Sequence, residues 1–184
     1  MKKENTNKTQ LLVLMPSMVG GGAERILINI FNNLPRSQYL IDLVVFEKKG
    51  ELWGAIPKHV NKRLIKLPNI LSKIGRILYR NYGWTLLLQY YASKITGNYD
   101  VGISYYDSMY NNLLYVSKAF VGKKITVIHS SYRSHDNRSR FIKGSHFNRM
   151  MKRYNEMDHI ICVSHEVEKE FNSFFKQNFK TVVI

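Results

Sequence analysis

Acidic side chains are scarce in this sequence: 13 Asp and Glu stand against 28 Lys and Arg, a formal charge of +15. Such an excess repels itself unless an anion lies nearby, so nucleic acid, an anionic membrane surface and phosphorylated substrates are all candidate partners on charge alone. Cysteine is nearly absent. One thiol, Cys162, excludes an internal disulfide, no Cys/His spacing suits zinc, and a reducing compartment is the natural expectation. Long hydrophobic runs are missing too. Leu11–Met15 is too short for the core of a signal peptide, and nothing offers the ~18–20 apolar residues that span a bilayer. The longest candidate, Trp84–Ala92, is interrupted by Thr85, Gln89 and two tyrosines. The expected location is cytoplasmic, with peripheral contact on the inner face of the cell membrane left open.

What is present is a globular composition, 45% hydrophobic, in a chain of 184 residues, enough for one domain with a core of its own. Short apolar runs alternate with helical patterns. Leu11–Met15 reads as a strand buried on both faces, and Ile41–Phe46 as a second. Between them Ala23, Ile26, Leu27, Ile30, Phe31 and Leu34 form a helical stripe that Pro35 ends. Arg63–Leu67 is a modest third strand. Asn69 to Ile95 reads as two helices broken near Gly83. Val101–Tyr105 is a fourth strand, Met109–Phe120 a helix, and Ile125–Ile128 a fifth strand. Helices marked by Phe147, Met150, Met151 and Tyr154, and by Val167, Phe171, Phe174 and Phe175, flank a sixth strand, His159–Val163. A seventh opens at Thr181–Ile184. Buried strands alternating with helices predict an α/β fold: a doubly wound, mostly parallel Rossmann-like sheet with helices on both faces, as one domain over 1–184.

In such a sheet ligands bind beyond the carboxyl ends of the strands. Gly20, Gly21, Gly22 and Ala23 lie between the first strand and its helix. Glycines admit a phosphate close to the backbone, and a helix N-terminus offers free N–H groups, so the turn is a candidate pyrophosphate seat. The plainer reading is a tight turn closing the strand onto its helix. The turn is not a P-loop, since no Gly-Lys-Ser/Thr follows, and Arg25 occupies the third glycine position of a dinucleotide fingerprint, which leaves only a weak case for Glu47 as a ribose-binding acid.

His129 follows the fifth strand and points to the same crevice, able to hydrogen-bond a hydroxyl or a phosphate. It could equally be a strand-capping histidine. The basic stretch after it, with Arg133, reads either as anion-binding surface or as solvated chain. Ser104, Tyr105 and Asn111 are weaker acceptor-side candidates around the fourth strand, and a polar strand-to-helix turn capped by Asp107 is the plainer alternative. In 70–95 an apolar stripe of Ile70, Ile74, Ile77 and Leu78 adjoins Lys73, Arg76 and Arg80, with Trp84 and several tyrosines nearby. Basic faces with interfacial aromatics suit anionic headgroups, and an ordinary crossover helix explains the same letters. Cys162 reads as a core residue.

Several segments in order resemble the family-4 glycosyltransferases of GT-B fold: Met15-Pro16, then Gly20-Gly21-Gly22-Ala23-Glu24-Arg25; Tyr99-Asp100-Val101-Gly102-Ile103-Ser104; Ile128-His129-Ser130; and Met157-Asp158-His159-Ile160-Ile161-Cys162-Val163-Ser164. The resemblance covers nearly the whole chain and implies an N-terminal, acceptor-side domain. It implies transfer of a sugar from a nucleotide-diphosphate sugar to a hydroxyl of a cell-envelope or lipid-linked glycan, with retention, as in polysaccharide biosynthesis. The glycine turn would reach the donor diphosphate and His129 the transferred sugar, with no metal and no other cofactor. In the family a C-terminal domain holds the nucleotide and carries a Glu-x7-Glu motif that this chain lacks. A C-terminal donor-binding domain or a separate partner chain is therefore expected, and this domain alone is expected to be inactive. The alternative is a catalytically inactive accessory or membrane-docking subunit. Nucleic acid ranks last as a partner, since no nucleic-acid motif is present.

Overall fold

A computed structural model describes residues 8–48, 50–66, 68–82, 85–107, 109–129 and 144–184. Seven strands form one parallel sheet: β1 (Thr9–Ser17), β2 (Tyr39–Lys48), β3 (Val60–Leu64), β4 (Asn98–Ser104), β5 (Phe120–Ile128), β6 (His159–Cys162) and β7 (Thr181–Val183). Their order is β3-β2-β1-β4-β5-β6-β7, so the direction of winding reverses between β1 and β4. That reversal leaves a crevice at the carboxyl ends of these two strands, because the connections leaving them depart to opposite faces.

The helices are α1 (Gly22–Asn33), α2 (Asn69–Tyr82), α3 (Leu86–Lys94), α4 (Met109–Val116), α5 (Gly144–Asn155) and α6 (His165–Phe175). One face of the sheet packs Leu12, Leu14, Val44 and Ile128 against Leu88 and Tyr91 of α3, Leu113 of α4, Tyr154 of α5 and Phe171 of α6. The other packs Leu11, Val13, Met15 and Leu43 against Leu27, Ile28 and Phe31 of α1. On this second face α1 is the one α-helix among the described residues whose side chains join the core, with Leu52 and Trp53 of a short 3-10 helix (Glu51–Trp53) packed beside it. Toward β7 the cover thins: Ile161 is half-buried, and Val182, its partner in register, is 46% exposed.

Local signals explain most boundaries. Leu34, the residue before Pro35, is extended and ends α1, as a pre-proline residue prefers. Ser164 caps α6 by accepting from the Val167 backbone N–H at 3.2 Å, and Lys176 closes that helix in the left-handed region.

Three expectations need correction. The helix expected over 109–120 stops at Val116, and β5 starts at Phe120, well before Ile125. Its first half was hidden by Gly122, Lys123 and Lys124. Gly122 is needed there because a Cβ would lie 2.8 Å from the Asp100 carbonyl oxygen. β3 begins at Val60 rather than Arg63; it is an edge strand, and its polar Asn61, Lys62 and Arg63 carry no hydrophobic signal. The buried face of α1 is Glu24, Leu27, Ile28 and Phe31, while Ile26 and Ile30 are exposed. The stripe is thus rotated from the one expected, and it includes an acid.

Candidate functional site

The sheet gathers three loops at its carboxyl edge: Met18–Gly21 after β1, Tyr105–Asp107 after β4, and His129 after β5. The glycine turn and His129, expected to share a crevice, both lie at this edge.

Each glycine of the turn has its own reason. Gly20 has φ +115°, a conformation that side chains rarely adopt. At Gly21 a Cβ would lie 2.6 Å from Oε2 of Glu24, so the missing side chain is the space the carboxylate occupies. Gly22 has nothing within 4 Å of a Cβ and is exposed, leaving that side open to a ligand. Gly21 is the N-cap of α1 and supplies no side-chain cap, so the first backbone N–H groups of the helix have no capping side chain. Ala23 is half-buried against the core behind them.

Glu24 is 4% exposed, and its Oε2 is buried without a hydrogen-bond partner. Its charge acts on Tyr105, Tyr106 and His129. The imidazole of His129 packs against Tyr105 and Tyr106, with ring centroids 4.8 and 5.2 Å apart. Burial pushes the His129 pKa below its ordinary value; a hydrogen bond to the Tyr105 backbone and the charges of Asp107 and Glu24 oppose that shift only in part. The ring is therefore neutral at neutral pH. Nε2 is buried without a hydrogen-bond partner. Burial also raises the phenol of Tyr105 to about 12, so it stays neutral.

The weaker acceptor-side candidates fare differently. Ser104 is fully buried and donates to the Tyr106 carbonyl at 2.7 Å. Asn111 is buried and accepts from the Thr126 hydroxyl at 2.9 Å. These two bonds tie the β4 and β5 ends to the chain around them. Tyr105 is buried as the wall behind His129. Asp107 accepts from the Tyr154 hydroxyl at 3.3 Å, tying the β4 loop to α5. Arg133 lies outside the described residues, as does Trp84; the side chains of Glu47, Arg76 and Arg80 are likewise outside them. Lys73 is exposed on α2. The stripe beside it does not face the sheet: Ile70 is 73% exposed, and Leu71, Ile74 and Ile77 are exposed with it.

Glu24 escaped the sequence reading because an acid is not counted in a hydrophobic stripe. Its spacing to Leu27, Ile28 and Phe31 (i, i+3, i+4, i+7) was the available signal. Cys162 is buried, its thiol raised to about 11 by desolvation, in keeping with a core role. Among the described residues no three His, Cys, Asp or Glu side chains gather as metal ligands, and no helix is long and apolar enough to cross a membrane. Two hollows elsewhere, of about 390 Å³ beside α6 and about 440 Å³ at the amino-terminal ends of β1, β4 and β5, lie away from this crevice.

Comparison with known proteins decides the family: the profile described as Glycosyltransferase Family 4 matches residues 20–184. The chain belongs to Glycosyltransferase Family 4. The family-4 domain shares its fold with the crystal structure of Anabaena HepE in complex with UDP, at a TM-score of 0.59 and 14% identity. That match covers 96% of this chain and 43% of HepE, so the domain spans less than half of the solved protein. A search of curated proteins found no match. The glycine turn and Glu24 open the matched region of the family-4 domain, and His129 lies within it.

Proposed function

We propose that this domain is the acceptor-side half of a transferase that moves a sugar from a nucleotide-diphosphate sugar to a hydroxyl of a cell-envelope or lipid-linked glycan, with retained anomeric configuration. The observation that carries the reading is the open, uncapped N-terminus of α1 at Gly21–Ala23, at the same sheet edge as a neutral, half-exposed His129. Backbone N–H groups at a helix N-terminus suit the charge that grows on a leaving diphosphate. The Glu24 carboxylate would repel that group, so the diphosphate belongs on the exposed side of Gly22 and Ala23. UDP in HepE supports a nucleotide-sugar donor. The other wall of the site, and most nucleotide contacts, fall to a C-terminal donor-binding domain or a partner chain, without which the domain is inactive because water is not excluded. No resident metal is needed, and EDTA should leave the rate unchanged.

The test is transfer by this chain together with its donor-binding domain or partner chain, from a panel of UDP- and GDP-sugars to a lipid-linked or envelope glycan acceptor, with the product anomer read by NMR. His129→Ala should lower turnover by roughly 10²-fold or more, as for loss of one group that stabilises a transition state. Unchanged turnover removes the imidazole from the reaction.

The exposed apolar face of α2, beside Lys73 in a chain of +15 charge, favours a second element of the reading: docking on an anionic bilayer. Tight vesicle binding with no transfer in any reconstituted assay would turn the assignment to an inactive membrane-docking subunit.

A further inference from the structure

The hollow of about 390 Å³ beside α6 is walled by Lys169, Asn172, Ser173 and Lys176, and closed by Gln177 and Asn178 of the loop that follows. The first four recur at i, i+3, i+4 and i+7, so they share one face of the helix. Among the described residues no carboxylate lines the hollow, and neither lysine has an ion-pair partner. Two of the amides are fixed by the chain. Oδ1 of Asn172 accepts from the Phe179 backbone N–H at 3.1 Å, which leaves the NH2 group of Asn172 to donate elsewhere. Gln177 donates to Oδ1 of Asn155 at 2.6 Å and braces the loop against the end of α5. The last helix carbonyls are occupied, since those of Asn172 and Ser173 accept from backbone N–H groups of the capping turn. Lys176 stands at φ 52°, a left-handed conformation that is strained for lysine and that glycine or asparagine ordinarily fills at a helix end. A cation in the last turn suits the helix dipole, but Lys169 sits about two turns earlier, beyond its reach.

We propose that this hollow binds a phosphate monoester: Lys169 and Lys176 flank it, and the Asn172 amide and the Ser173 hydroxyl donate to its oxygens. A phosphate monoester carries a charge of about −1.5 to −2 at neutral pH and offers only acceptors beyond its ester bond, which matches two ammonium groups and two neutral donors. The site is separate from the transfer crevice, because α6 carries the chain about 16 Å away from the carboxyl edge. The same headgroup chemistry is offered by a small phosphorylated molecule and by a lipid that ends in a phosphate monoester.

The test titrates this chain with inorganic phosphate, with glycerol 3-phosphate, and with phosphatidylcholine vesicles that contain or lack phosphatidic acid. Ionic strength is held constant with chloride, so that general screening of a basic surface does not register as binding. Binding is read from the backbone amide resonances of 172–178 and, for vesicles, by co-sedimentation. The soluble phosphates should shift those resonances saturably. Lys169→Gln and Lys176→Gly should each weaken binding by about tenfold or more, as for loss of a hydrogen bond to a charged group. Lys58→Gln, at an exposed lysine elsewhere, should leave it unchanged. Lys176→Gly should also raise the melting temperature, because glycine relieves the left-handed strain, so its lost affinity cannot come from unfolding. Saturable binding of the soluble phosphates supports a free ligand. Binding only to phosphatidic acid vesicles, weakened by both lysine variants, supports a lipid headgroup at the same site. Saturable binding of neither, or equal affinities in the wild type and the two lysine variants, overturns the proposal.

Discussion

Gly21 and Glu24 are coupled through space, and the coupling can be measured. In Gly21→Ala the new methyl meets the end of a flexible side chain, so the carboxylate swings away at modest cost, below about 1 kcal/mol. In a Glu24→Ala background the same change should cost nothing, and the double-mutant cycle should show the difference. Gly20→Ala is another matter: at φ +115° it should cost about 1–3 kcal/mol in either background, read by chemical denaturation. His129 carries a pH signature. Its native pKa lies below the ordinary 6.5, so the unfolded chain takes up the proton more readily. Its contribution to stability is complete above about pH 6.5 and is lost as pH falls from there through the depressed native value. His129→Asn should flatten that part of the stability profile. At this scale the sequence put the glycines and His129 at strand ends, but it could not show that Ser104 and Asn111 bond the chain, because a polar letter near a strand end does not name its partner. Here Tyr106 and Thr126 are the partners. Glu24 was missed because only the fold turns its first-turn position inward.

Among the elements, α2 and α6 behave in opposite ways. Phe171 of α6 is fully buried and packs edge-on against Tyr154 and Phe175 and at a tilt against Phe179, at centroid distances of 4.9, 5.0 and 4.9 Å. Phe171→Ala should therefore cost about 3–5 kcal/mol, seen as a large fall in the melting temperature. Ile74 and Ile77 of α2 are exposed. Replacing both with Glu should change stability by no more than about 0.5 kcal/mol per site while weakening binding to anionic vesicles roughly tenfold, measured by co-sedimentation. Unaltered vesicle binding would remove α2 from the membrane contact. Both helices show the same periodic pattern in sequence, which records that a face is apolar but not what covers it. Strand boundaries follow the same logic: central β1 and β2 were plain as apolar runs, whereas edge β3 and the exposed start of β5 carry lysines and were not.

For the whole molecule, the two sheet faces are unequal. Among the described residues four helices cover one face, and α1 covers part of the other, where Ile161 is half-buried and Val182 exposed. A second domain or chain that packs against this region would bury them. If such a neighbour packs there, Val182→Ser should leave the isolated domain's melting temperature unchanged and lower that of the assembly. The fold class was legible because buried parallel strands and helices leave distinct periodicities. The half-covered face was not, since a valine awaiting a neighbour is spelled like any other.

β1 lies at the centre of the sheet, yet one of its neighbours, β4, is made 90 residues later; the Gln10 backbone N–H bonds the Asp100 carboxylate across that separation. On the ribosome β1 must therefore wait, with β2 alone beside it, until β4 has emerged. That interval leaves the backbone edge of β1 along Leu11–Leu14 open to chaperones or to other nascent chains. A slower ribosome over the α2–α3 region lengthens the interval, and a shorter crossover would close it.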